Sequence, residues 1–475
     1  MTPEDGGDLP PDSGRLQPPQ PPGRKRAVTT MGRAALLVGA GILVSRLLGF
    51  VRNAVLLGVL GRSGEADLYN AAFVIPDYLF FLMAGGYLTI TFLPILSRHI
   101  AADDDEGEWR SFVAVFRPVA LAMTALTVVA MIWARPLVDF LYPSFDPSDI
   151  DRLTDLVRVV LPAQVFFVLG SLFMAVQYAR QRFLVPTLAP IVYNLAIIAG
   201  GAVTWAMGNP SPEGFAWGAL AGAIIGNFAL QWWGASRVGL RWPRQVAWRD
   251  PALGEYLLLA LPLMLGQSIA ALDEQFIRVF GQLAGVGGIT ALVAGRQLSM
   301  VPVGVVAQAA GVAAYPFLAR LAAEGKEEEL EIEVGSAVRA TITAATLAAA
   351  AVFGLALPAV RLAYQRGSFG AEDTLVTAAV AAVFALSIPA WGAQQVLARA
   401  FYAKRRMWPP VLIGTTIAVV AIPVYLLVGA RFGLEGIAAT STGSIVVYAI
   451  VLGVGWFIAT GKRHLRPVLE ALARA

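Results

Sequence analysis

Residues 43–53 read Leu43-Val44-Ser45-Arg46-Leu47-Leu48-Gly49-Phe50-Val51-Arg52-Asn53, two arginines set into an apolar run that extends over residues 33–60. On a helix turning about 100° per residue, Ser45 and Arg52 fall on nearly one face, and Arg46 and Asn53 on the face beside it. A charge at mid-bilayer costs at least about 2.5 kcal/mol even on a lenient insertion scale, so two arginines in one span demand a counter-charge or a wet cavity. The stretch therefore predicts a membrane helix with a polar wedge that lines an internal cavity.

Composition widens that reading to the whole chain. Hydrophobic residues make up 57% of the 475 and charged residues 14%, against about a quarter charged in soluble domains. Runs free of Asp, Glu, Lys and Arg include 78–97, 159–179, 183–212, 214–236, 297–319, 340–360, 374–398, 407–430 and 436–461. Each is long enough for a helix to cross a hydrocarbon core, which takes about 20 residues. Spans at 33–60, 112–134 and 254–280 carry ionisable groups and bring the expectation to 12 helices.

The chain also repeats itself. Arg52 lies 24 residues before Pro76, and Arg278 lies 24 before Pro302. Further on, Pro94-Ile-Leu-Ser-Arg98 recurs as Pro316-Phe-Leu-Ala-Arg320, Arg117 as Arg339, Pro136 and Tyr142 as Pro358 and Tyr364, and Glu213-Gly214 as Glu435-Gly436. Two halves of six spans each enter the membrane from the same side, as parallel repeats with a site between them. The expected fold is all-α and integral to the membrane, with two six-helix bundles forming a V: a tail at 1–30, a first bundle at 31–240, an interfacial linker at 241–252, a second bundle at 253–461 and a tail at 462–475. Basic clusters at Arg24-Lys25-Arg26, Arg237, Arg241, Arg244, Arg249, Lys404-Arg405-Arg406 and Lys462-Arg463 then share one side. The positive-inside rule makes that side cytoplasmic and both termini with it. Pro76, Gly85-Gly86, Pro302 and Gly304 are candidate bending points.

Further charges sit at membrane depth. Asp67 near the outer interface is a candidate helix cap or arginine partner; Asp77 lies deeper, directly after Pro76. Asp273, Glu274 and Arg278 share one span, with Glu274 and Arg278 spaced to pair along the helix. Arg296 has no carboxylate within a turn, so its counter-charge must come from another helix or a ligand. Arg46, Arg52, Arg278 and Arg296 converge if the halves face each other, and the planar guanidinium fork suits phosphate oxygens. The ligand implied is an anion such as a diphosphate, with Asp273 or Glu274 free to bind a coupling cation or proton.

Other chemistries find no support. The net charge of +4 resides in membrane-flanking loops and calls for no nucleic acid. Asp103-Asp104-Asp105-Glu106 reads as a solvated acidic loop rather than a metal cluster. Cysteine is absent, and His99 and His464 have no metal-ligand spacing. No nucleophile, base and orienter set can be assembled from the sequence, and no cofactor is implied.

Several stretches resemble one family. They are Ser45-Arg46-Leu-Leu-Gly-Phe-Val-Arg52, Ala66-Asp67 with Ala72-Phe73 and Pro76, Phe92-Leu-Pro94-Ile-Leu-Ser, and Phe183 to Asn194, then Arg296 through Pro302 to Pro316, Tyr364-Gln-Arg366-Gly-Ser-Phe369, and Phe401-Tyr402-Ala with Pro410. They are similar to the MurJ (MviN) lipid II flippases of the multidrug/oligosaccharidyl-lipid/polysaccharide exporter superfamily. The resemblance implies that Arg46, Arg52 and Asp67 occupy positions of essential charged residues in a central cavity. It also implies a bacterial inner-membrane protein whose partners are membrane lipids and a polyprenyl-diphosphate lipid, flipped by alternating access and coupled to membrane potential or a monovalent cation. The chain departs from the pattern at Phe80-Phe81, where the family carries arginines, and at Gln297, which fills the usual place of an arginine. It also has 12 expected spans where the family has 14, lacking the pair associated with a lipid-tail groove. Export of another polyprenyl-diphosphate-linked oligosaccharide or amphiphile is the alternative within the superfamily. A membrane glycosyltransferase is the alternative outside it, and short external loops weigh against that reading.

Overall fold

The computed structural model describes residues 24–83, 88–243, 250–265, 269–304 and 308–460. The bend expected at Gly85-Gly86, the tail expected at 462–475 and half of the linker expected at 241–252, residues 244–249, lie outside the described residues, as do residues 1–23 of the first tail. Residues 24–30, expected in that tail, instead continue the first helix.

Among the described residues the regular structure is helical. The first half comprises α1 (Arg24–Leu60), α2 (Gly64–Ala71), α3 (Val74–Leu82), α4 (Leu88–Ala101), α5 (Asp105–Ile132), α6 (Ala134–Leu141), α7 (Pro147–Val160), α8 (Ala163–Ala179), α9 (Leu184–Ala206), α10 (Pro212–Gly222) and α11 (Leu230–Arg237). The second comprises α12 (Pro251–Leu265), α13 (Ile269–Phe280), α14 (Gly288–Ser299), α15 (Gln308–Ala323), α16 (Glu327–Tyr364), α17 (Ala371–Ala385), α18 (Ile388–Ala403) and α19 (Trp408–Thr460). Eight helical stretches, some joining two of these elements, are long and apolar enough to cross a membrane. The protein is an all-helical membrane protein.

Helix starts and breaks follow from local chemistry. Ser63 caps α2 by accepting the Ala66 N–H, and Asp104 caps α5 by accepting the Gly107 N–H at 2.8 Å. The two repeated prolines mark related interruptions: Pro76 lies in the first turn of α3 just after the chain leaves α2, and Pro302 follows the end of α14. A proline cannot donate to the preceding turn, so the regular ladder stops near it. In α19, Gly433 adopts φ 57° and ψ −131°, which splits one apparent helix into two. Where α9 meets α10, glycines let the backbones touch: a Cβ on Gly218 would stand 2.5 Å from the Ala196 carbonyl oxygen.

Packing corrects one expected boundary. Ala252, Tyr256 and Ala260 of α12 bury themselves in the core of the first half, with Tyr256 edge-on to Phe92. On the next helix, α13, Phe280 stacks on Tyr425 of α19 in the second half. The bundle expected to begin at 253 thus has its first helix, α12, packed on the first half, because Tyr256 finds its aromatic partner on α4.

Candidate functional site: a guanidinium belt between the halves

The wedge read from residues 43–53 faces the second half. Arg52 Nε donates to Asn53 Oδ1 at 3.1 Å, and Asn53 Nδ2 donates to Gln297 Oε1 on α14. The guanidinium of Arg46 lies against Gly304, where a Cβ would come within 2.6 Å of Arg46 Nη1. Glycine at 304 leaves the room that this arginine occupies.

Next along the belt, Arg278 on α13 donates to Asp77 Oδ2 on α3 at 2.7 Å and to Glu274 Oε1 at 2.7 Å. The expected pairing along the helix is present, and an acid from the other half joins it. Gln275 also donates to Asp77. Arg296 finds its counter-charge on another helix: it pairs with Asp273, and its guanidinium sits 5.9 Å from the ring of Trp391 on α18. Asp273, only 4% exposed, also accepts from Tyr425 and Ser441, each at 3.0 Å. The place expected to receive a coupling cation at Asp273 therefore already receives a positive group carried by the protein. The belt holds four arginines, of which Arg278 pairs with Asp77 and Glu274 and Arg296 with Asp273, and its contacts cross from one half to the other at Asn53–Gln297 and Asp77–Arg278.

Asp67 takes the helix-cap role expected of it rather than the substrate-binding one. It is 3% exposed and accepts from the Gly287 N–H at 2.7 Å, the Thr290 N–H at 2.7 Å and the Thr290 hydroxyl at 2.6 Å. The carboxylate caps the start of α14 from the opposite half, so its oxygens are spent on protein donors. Around it runs a set of links the sequence did not reveal. Arg62 pairs with Asp373 at 3.0 Å, the Ser368 N–H donates to the Gly58 carbonyl at 2.8 Å, and Gln282 Nε2 donates to the Leu141 carbonyl at 2.6 Å. The only advance signal was that Arg62 and Asp67 stand close together at the end of an apolar run. All these links gather at the ends of α1, α6, α13 and α16, one rim of the molecule.

Two further features lie off the belt. Ser111 Oγ, the ring of His99 and Asp104 stand in line at 3.0 and 2.9 Å, although no such set could be assembled from the sequence. Ser111 is 3% exposed, so no substrate carbonyl reaches its oxygen, and the trio pins the corner between α4 and α5. The Gly107 N–H, first, and the His99 ring hold the Asp104 carboxyl below the usual carboxylate range. Separately, a cavity of 410 Å³ opens between α1, α14 and α16, lined by Phe50, Val51, Ala54, Leu298 and Leu362 with Arg366 at its edge.

Comparison with known proteins agrees with this geometry. The family model described as "Lipid II flippase MurJ" matches residues 57–469. The chain is 26% identical over 426 residues to "Probable lipid II flippase MurJ" of Rhizobium meliloti (strain 1021), covering 87% of this chain and 78% of that protein. It is 25% identical over 397 residues to "Lipid II flippase MurJ" of Burkholderia cenocepacia, covering 82% and 76%. Among solved structures, "Lipid II flippase MurJ, inward closed conformation" superposes with a TM-score of 0.73 at 19% identity, covering 92% of this chain and 91% of that one. An inward-facing multidrug resistance MATE family transporter of the MOP superfamily also gives 0.73, at 16% identity, covering 90% and 98%. The family match spans most of the chain, and with it the all-helical membrane fold: the chain belongs to the MurJ lipid II flippase family, transporters rather than enzymes.

Proposed function

We propose that the chain carries lipid II, an undecaprenyl-diphosphate-linked peptidoglycan precursor, from the inner to the outer leaflet of a bacterial cytoplasmic membrane by alternating access. The observation that carries this reading is the guanidinium belt, which runs between the halves and draws on both. In the proposed arrangement 12 helices form two parallel six-helix bundles in a V, with both termini cytoplasmic. Arg46 and Arg52 hold the diphosphate together with whichever of Arg278 and Arg296 leaves its acid, and the tail stays in the bilayer. A preorganised guanidinium fork supplies two parallel hydrogen bonds to phosphate oxygens.

The rim formed by Asp67–Thr290, Arg62–Asp373 and Ser368–Gly58 supports the alternating part of the reading. It ties the halves at the outer end, so exposure of the belt to the outer side requires those links to part. Moving a charge through the membrane field is worth about 2.3 kcal/mol per 100 mV, enough to bias that exchange. Of the two candidate coupling acids, Glu274 is the more exposed, and its partner Arg278 is shared with Asp77. A second substrate, another polyprenyl-diphosphate-linked oligosaccharide, is favoured by Phe80 and by Gln297, the neutral partner of Asn53, which stand where the resemblance leads one to expect arginine. Reconstituted vesicles test the proposal: lipid II labelled in one leaflet moves to the other without covalent change. A wild-type chain that leaves the label in place, or that returns a modified lipid, overturns it.

A further inference from the structure

Arg399 on α18 entered none of the expectations, and among the described residues it meets no acid. Its Nη1 is buried without a hydrogen-bond partner, and among the described residues its guanidinium makes no ion pair and no ring contact. An unpaired cation inside a membrane bundle is costly, and such residues face cavities or pathways rather than lipid. The helix shows which way it faces. Trp391, Gln395 and Arg399 follow one another at four-residue spacing on one stripe, and most of the other α18 side chains are buried in the second-half core. Trp391 at the head of that stripe stacks against Arg296, so the stripe points toward the belt. Eight residues at 1.5 Å each set Arg399 about 12 Å along the axis from Trp391. The offset runs toward the turn at Lys404, which pairs with Glu327.

We infer that Arg399 is a second anion station: it takes a phosphate group carried on a lipid headgroup as that group enters from the cytoplasmic end, before Arg296 is reached. The inference rests on the transport reading and adds an entry point to it. Arg296 starts paired with Asp273, so an incoming anion meets Arg399 as the first guanidinium on this helix face that is free of an acid. Gln395, half-buried between the two positions, offers amide donors to the same group.

The test titrates the full chain in detergent with undecaprenyl diphosphate, inorganic pyrophosphate or neutral undecaprenol, with bound ligand read by native mass spectrometry. Arg399→Gln is expected to weaken undecaprenyl diphosphate about tenfold, the loss of one charge-assisted contact. Arg399→Lys is expected to keep most of the affinity, and undecaprenol is expected to bind all three proteins alike. Melting temperature separates a ligand-holding residue from a structural one: removing an unpaired buried cation leaves Arg399→Gln at least as stable as wild type. Equal affinity in Arg399→Gln and wild type overturns the station, as does an equal loss for undecaprenol, a lower melting temperature in both variants, or a loss confined to pyrophosphate. If wild type still flips lipid II in vesicles under any of those results, the transport reading stands without Arg399. A wild type that binds no undecaprenyl diphosphate overturns both.

Discussion

Asp67→Ala tests whether the rim around Asp67 holds the halves together. The substitution removes the acceptor of two backbone N–H groups and one hydroxyl at the start of α14, all donated from the other half. Hydrogen bonds to a charged group contribute about 1.5 to 3 kcal/mol each, but water enters a parted rim and recovers much of that. A net loss of about 3 kcal/mol remains, which shifts a two-state balance by about a hundredfold. A chain without cysteine suits a direct readout, since spin labels at Met207→Cys and Phe432→Cys, both exposed, one in each half, report the separation of the halves. Pulsed electron resonance is expected to give one short distance in the otherwise wild-type protein. In Asp67→Ala a longer population becomes comparable or dominant, while Asp67→Asn, which keeps one acceptor oxygen, falls between. An unchanged distance distribution in Asp67→Ala, at unchanged melting temperature, refutes the reasoning.

Three other outcomes follow from the same contacts. Arg296→Gln leaves Asp273 buried with only Tyr425 and Ser441, at a cost of about 3 to 5 kcal/mol; adding Asp273→Asn is expected to recover most of the loss in a detergent melt, and a double variant no better than the single contradicts the pairing. Gly218→Leu forces side-chain atoms into the α9 backbone beside Ala196 and is expected to destabilise the first half by about 1 to 3 kcal/mol in the same melt, whereas unchanged stability denies the close approach. Asp104 has a folded-state pKa below its unfolded value, so its contribution is present above about pH 4 and lost as pH falls through the folded pKa. The gap in melting temperature between wild type and Asp104→Asn is therefore expected to close in acid, and a gap constant down to pH 3 speaks against the cap.

The all-helical membrane fold and the polar wedge of residues 43–53 were legible because hydropathy and helical phase are written in local spacing. Arg52 before Pro76 and Arg278 before Pro302 anticipated the interruptions beside both prolines. The i, i+4 pair of Glu274 and Arg278 was equally local. What stayed hidden depends on distant segments. Nothing near Arg296 reveals Asp273, which lies on the preceding helix, or that Tyr425 and Ser441 from the two limbs of α19 complete the set. Asp67 showed that it was buried and charged but not which donors it would meet, because those donors are N–H groups that exist as a site only once α14 has formed. Arg399 was passed over for a simpler reason: it closes a long uncharged run and resembles one more interfacial cation until its missing partner is seen.

The most direct measurement of the central claim is leaflet-to-leaflet movement of fluorescent lipid II in vesicles, with wild type compared against Arg52→Gln, Arg52→Lys and Arg46→Gln at matched reconstitution. Wild type is expected to move the lipid; both glutamine variants are expected to lose most of that movement, and the lysine variant to retain part of it, because charge survives while the two-pronged fork is lost. Movement at the wild-type rate with both arginines neutralised would contradict the account.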